Sequence, residues 1–181
     1  MDVFSHGLWS GAVYKIINAK IKKSLNIKWA VIFGIFPDFF SFAPSFIFMF
    51  WGLIFGGMNF ADWPRPDELE PFPPDTLFIF KLTNFLYSMT HSLVIFLVIF
   101  GVVYLIFKRP IWEMGAWIFH ILIDIPTHSY AFYPTPFLWP FSNIKLDGLS
   151  WANPWFLAVE YSLVISIYLY FYFRNKNKLR I

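Results

Sequence analysis

Four long, predominantly apolar blocks, at 29–57, 85–107, 111–125 and 154–173, constrain this chain more than any other feature. A spanning helix needs only about 17–25 such residues, so runs of this length have few soluble solutions. The composition agrees: 58% of the 181 residues are hydrophobic and 14% are charged, against about 25% charged in soluble domains. No water-soluble core uses that much apolar surface, and the chain reads as one integral membrane domain, 1–181, of the all-α, polytopic helical-bundle class. The first residues, MDVFSHGLWSGAVYKIIN, have neither a basic stretch ahead of the apolar run nor a small-residue cleavage site, so the first helix is expected to stay attached. Cysteine is absent, which removes disulfides and thiolate ligands and leaves any metal to His, Asp or Glu.

Charge placement gives an expected topology. Of the 14 Lys and Arg residues, 11 fall in three places: Lys15, Lys20, Lys22, Lys23 and Lys28; Lys108 and Arg109; and Arg174, Lys176, Lys178 and Arg180. The positive-inside rule makes these cytoplasmic, the last of them a basic tail over 174–181. The alternate connections are a Pro-rich acidic loop at about 58–78, with Asp62, Asp67, Glu68, Glu70 and Asp75, and an aromatic loop at about 130–153; both are expected outside. The sum is about five membrane segments in a multi-pass protein of the inner (plasma) membrane, N-terminus outside and C-terminus cytoplasmic. Segment one, about 3–19, carries His6 and Lys15 and is expected to be short or re-entrant. Segment two carries Pro37 and Pro44, each lacking a backbone donor, and is expected to break near Asp38.

Ionisable groups inside such segments cost about 2.5–3.5 kcal/mol each on insertion scales and therefore mark function or pair with one another. Six stand out: His6, Asp38, His91, His120, Asp124 and Glu160. Counted from the nearest basic residue at about 1.5 Å per residue, they lie ~14–25 Å deep, in one layer between the midplane and the outer leaflet. His120 and Asp124, in HILIDIPTHS, share a helix face at i, i+4, the spacing that lets an imidazole and a carboxylate hold one borderline divalent cation such as zinc. Pro126 should end or kink that helix, projecting His128 at its outer mouth. Each residue has a plainer reading: a hydrogen-bonded His120–Asp124 pair, an interhelical bond for His91, a buried ion pair for Asp38, a headgroup position for His6, and a supporting or helix-pairing role for Glu160.

The series M-D-V-F-S-H at 1–6, F-P-D at 36–38, M-T-H-S at 89–92 and H-I-L-I-D from His120 resembles the bacterial and archaeal inner-membrane metal-dependent hydrolase family, which includes the LexA-regulated membrane hydrolases. That resemblance spans nearly the whole chain and implies His6, Asp38, His91, His120 and Asp124, with His128, as metal ligands or their immediate partners. Many members carry P-D-x-D where this chain has Phe40, so the resemblance does not extend to a second acidic ligand there.

The expected function is a membrane-embedded hydrolase in which a divalent metal, zinc foremost, acidifies a water and Asp124 or Glu160 accepts its proton. The partners are membrane lipids, with a lipid or other amphiphilic ester or phosphoester as substrate. A transporter or a proton or metal-ion pathway would use the same polar layer, and a structural membrane protein with a polar core would place the same residues inside. No Gly-rich phosphate loop, nucleophile elbow or nucleic-acid module is present, so no nucleic-acid partner is expected.

Overall fold

The structure, a computed structural model, describes residues 1–21, 24–59 and 77–178. Six α-helices and one 3-10 turn make up its regular structure, with no strand among the described residues: α1 (Val3–Ile21), α2 (Ile27–Phe55), α3 (Phe78–Thr90), α4 (Leu93–Phe107), the turn Trp112–Met114, α5 (Gly115–Thr127) and α6 (Pro154–Lys178). The acidic stretch at 60–76 and the basic residues Lys22, Lys23 and Arg180 lie outside the described residues.

The bundle is polar inside and apolar outside. Ser5, Ser10, Ser41, Ser45, Thr83 and Thr90 are buried, while Ile47, Trp51, Leu97, Val102, Leu105, Leu163 and Leu169 stand exposed. Water would penalise that exterior heavily, and a hydrocarbon solvent does not. Helices α2 and α6 are each long and apolar enough to cross a membrane, and α3 with α4 makes a third span if that bent pair counts as one. The expected five segments are not reached. Helix α5 has 13 residues, about 20 Å at 1.5 Å per residue, against about 30 Å of hydrocarbon. It is an interior helix, with Ala116, Trp117, His120, Ile121 and Asp124 buried. Helix α1 is one continuous helix of 19 residues, but its His6, Lys15, Asn18 and Lys20 leave it too polar to rank with α2 and α6.

The break expected near Asp38 is absent, and one appears elsewhere. Helix α2 runs through both prolines for 29 residues. Pro37 leaves a backbone carbonyl without its helical partner, and neighbouring groups can cover such exposed backbone. One residue along, the Gly34 carbonyl accepts a 2.7 Å hydrogen bond from His120 Nδ1. The apolar block at 85–107 is divided instead, with a bend of 68° between α3 and α4. His91 closes α3, its N–H donating to the Tyr87 carbonyl at 2.9 Å. Ser92 then caps α4, its Oγ accepting from the backbone of Val94 at 3.1 Å and Ile95 at 3.2 Å and donating to the Trp139 carbonyl.

Helices α1 and α6 run parallel. Tyr161 meets Asp2, Tyr168 meets the Leu8 carbonyl, and Lys15 meets the ring of Phe171. Tyr14 donates to the Trp112 carbonyl at 2.6 Å, and Glu113 accepts from the Asn26 backbone at 2.8 Å. All three basic segments therefore gather at one end of the bundle, and the basic residues from 174 to 178 continue α6 rather than forming a separate tail. At the opposite end the 130–153 connection covers the last turn of α5. Gly148, Leu149 and Trp151 donate backbone hydrogen bonds to the carbonyls of His128, Pro126 and Thr127, satisfying acceptors that the helix end leaves open. A side chain at 148 would put its Cβ 2.3 Å from the Pro126 carbonyl oxygen, so this close approach requires glycine.

Candidate metal centre

Four elements bring the sequence-predicted residues together at the end of the bundle opposite the basic segments: α1 supplies His6, α2 Asp38, the α3–α4 break His91, and α5 His120 and Asp124, with His128 just past its end. All six are buried. Asp38 Oδ1, His91 Nε2, His120 Nε2 and Asp124 Oδ2 converge closely enough to bind one metal ion.

The ring orientations follow from backbone acceptors. His120 Nδ1 faces the Gly34 carbonyl at 2.7 Å, His91 Nδ1 the Tyr87 carbonyl at 3.1 Å, and His128 Nδ1 the Tyr133 carbonyl at 2.8 Å. A carbonyl only accepts, so Nδ1 is the donating nitrogen in each ring and Nε2 faces inward. This is how a ligating histidine is usually held. His91 Nε2 and His120 Nε2 lie 3.0 Å apart, close enough to share either a proton or a metal ion.

The separations are 3.0 Å for His91–His120, 3.0 Å for His120–Asp124 Oδ2, 3.2 Å for His91–Asp38 Oδ1, 3.4 Å for His91–Asp124 Oδ2 and 3.7 Å for His120–Asp38 Oδ1. Four atoms this close could hold one metal ion. A proton on one ring serves one neighbour well. It leaves Asp38 Oδ2 and Asp124 Oδ2, which have no hydrogen-bond partner, as buried carboxylate oxygens, a costly state.

Asp124 divides the six residues. Its Oδ2 faces the four-atom set, and its Oδ1 faces His6 Nε2 at 2.9 Å, His128 Nε2 at 3.3 Å and the Met1 amino group at 2.6 Å. The His6 contact is off the angle a hydrogen bond needs, and neither ring nitrogen of His6 is hydrogen-bonded. What holds His6 is stacking on His120, with centroids 3.6 Å apart. His6 and His128 therefore flank the four-atom set without belonging to it.

Glu160 does not join the centre. It is buried on α6 against α1, with neither carboxylate oxygen hydrogen-bonded. Sequence reasoning missed the Met1 amino group, which also lies 3.1 Å from His128 Nε2, and the carbonyls of Gly34, Tyr87 and Tyr133 that orient the rings. Of these, Tyr87 carried a signal, standing four residues before His91 on the same helix face. Trp117 adds a brace, its Nε1 donating to the Thr90 carbonyl at 2.6 Å beside the break.

No known protein family, curated protein or solved structure matches this chain.

Proposed function

We propose that this protein is a membrane-embedded metal-dependent hydrolase acting on a lipid or other amphiphilic ester or phosphoester, its N-terminal end outside and its basic end cytoplasmic. The observation that carries this reading is the buried convergence of Asp38 Oδ1, His91 Nε2, His120 Nε2 and Asp124 Oδ2, with both rings oriented by backbone carbonyls. The sequence motifs that resemble the membrane hydrolase family fall on these same residues. Asp38, His91, His120 and Asp124 would hold a divalent ion, zinc by the donor set, and the ion would lower the pKa of a water that takes one coordination position.

The chain's own groups then divide the work. Asp124 faces the four-atom set through Oδ2 and His6, His128 and the Met1 amino group through Oδ1, and so anchors the site. Asp38 makes the longest edge, 3.7 Å to His120, and its Oδ2 is unbonded, so Asp38 is the carboxylate able to accept a proton at Oδ2. The sequence pointed to Asp124 or Glu160 for that role; the geometry favours Asp38, since Glu160 lies apart. Substrate approach is best served by a cleft of about 100 Å³ lined by Asn84, Tyr87, Ser88, Tyr133 and Lys145. Tyr87 bounds it and stacks on His91, centroids 3.8 Å apart, so this ring stands between cleft and centre.

Complete burial of a four-ligand set favours a second reading, a metal-ion or proton pathway, since four protein ligands characterise closed sites. Proteoliposomes separate the two. Metal-dependent cleavage of a phospholipid ester without ion flux supports the hydrolase, and flux without cleavage overturns it. Within the hydrolase, Asp38→Asn should retain metal and lose turnover by about 10²–10⁴-fold, the usual contribution of a general base; unchanged turnover would remove Asp38 from that role.

A further inference from the structure

The basic end of the bundle holds a second feature that the metal centre does not use. Lys15 and Lys20 of α1 and Arg174 of α6 surround a cleft of about 480 Å³ floored by Ile16, Ile167 and Phe171. The two helices are distant in sequence and meet here because they pack in parallel. Lys15 and Lys20 are five residues apart, about 7.5 Å along the axis, so the cations flank the cleft along more than a turn. No acidic residue lines it. Among the described residues none of the three cations pairs with a carboxylate; the Lys15 ammonium instead rests over the Phe171 ring, 4.6 Å from its centroid. Topology alone needs positive charge at this end, but it needs neither a cleft nor convergence from two helices.

We propose that this cleft binds the headgroup phosphate of an anionic phospholipid from the leaflet at the basic end, with the glycerol and upper acyl chains lying on the apolar floor. A cleft with cations at its rim and hydrocarbon beneath matches a molecule with that same division, whereas free phosphate would leave the floor unmatched. Basic pockets between membrane helices serve this purpose generally. Lys108 and Arg109, at the same end but outside the cleft, separate a built site from general attraction to a charged surface.

The test is thermal unfolding of the full chain in dodecyl maltoside titrated with phosphatidylglycerol, phosphatidylcholine or inorganic phosphate. Phosphatidylglycerol should raise the midpoint, while phosphatidylcholine and inorganic phosphate should not. Replacing Lys15, Lys20 and Arg174 together by Gln should weaken the phosphatidylglycerol response on the order of a hundredfold, about fivefold per residue. The pair Lys108→Gln and Arg109→Gln should leave it as in the wild type. Arg174→Gln alone, at an exposed position on α6, gives the fivefold step even where the triple variant fails to fold. A wild-type response in either cleft variant, an equal loss in the Lys108/Arg109 pair, or full reproduction by inorganic phosphate would overturn the proposal.

Discussion

The two oxygens of Asp124 face differently built surroundings. On the Oδ2 side, Asp38, His91 and His120 come from three elements and converge, and both rings are pinned through Nδ1. On the Oδ1 side, His128 is pinned by the Tyr133 carbonyl, but His6 is held only by stacking, and the third neighbour is an amino group that carries its own protons. Ligand atoms of suitable type occur on both sides, but two pinned imidazoles and a second carboxylate converge on Oδ2, while Oδ1 meets one pinned imidazole. The difference teaches that pinning one ring through a backbone carbonyl is not enough; several such groups must meet at one point to make a candidate site.

The largest effect should follow from removing the residue common to both sides. Asp124→Ala strips the anchor and leaves several imidazoles buried without their carboxylate. Elemental analysis of the purified variant should find no stoichiometric metal; a retained equivalent would mean the ion sits elsewhere. The comparison is broken more finely by His91→Ala against His128→Ala. Loss of His91 should weaken metal binding by more than the 10–100-fold that supporting residues typically contribute, and loss of His128 should stay within or below that range. Equal losses, measured by competition with a zinc chelator, would make the two sides equivalent.

The third effect comes through packing. A Cβ at Gly34 would lie 2.2 Å from Ser10 Oγ and 3.2 Å from the His6 carbonyl oxygen, so Gly34→Ala must push α1 from α2. Overpacking of this kind costs about 1–3 kcal/mol, and the displacement moves His6 and the carbonyl that holds His120 together. Adding Ser10→Gly should restore much of the thermal stability. If it does not, the contact that matters is with the α1 backbone.

The buried polar cluster was far more legible than the helices that carry it. His6, Asp38, His91, His120 and Asp124 could be read because a charged or imidazole group inside an apolar block has no cheap explanation, and counting residues along each block gave a common depth. The span count was not legible: the run at 111–125 is as apolar as a spanning helix, and nothing in its composition says that neighbouring protein rather than lipid covers α5. Pro37 misled because a proline removes a single helical hydrogen bond, and a long helix packed against its neighbours runs on through that loss, as α2 does. The Met1 amino group could not be foreseen, since every chain start carries one.

The α3–α4 break, by contrast, was written in the sequence as a serine directly before the run LVIF, a helix-start signal inside an apolar block. That gives the smallest effect. Ser92→Ala removes acceptance from Val94 and Ile95 and the hydrogen bond to the Trp139 carbonyl. Loss of a cap of this kind costs about 1 kcal/mol, a modest drop in unfolding temperature. His91 is positioned by two other devices, its own closure of α3 and the Trp117 brace on Thr90, so metal affinity should fall by less than in His128→Ala. A larger fall would show that the bend, and not the carbonyl behind the ring, is what aims His91 at the centre.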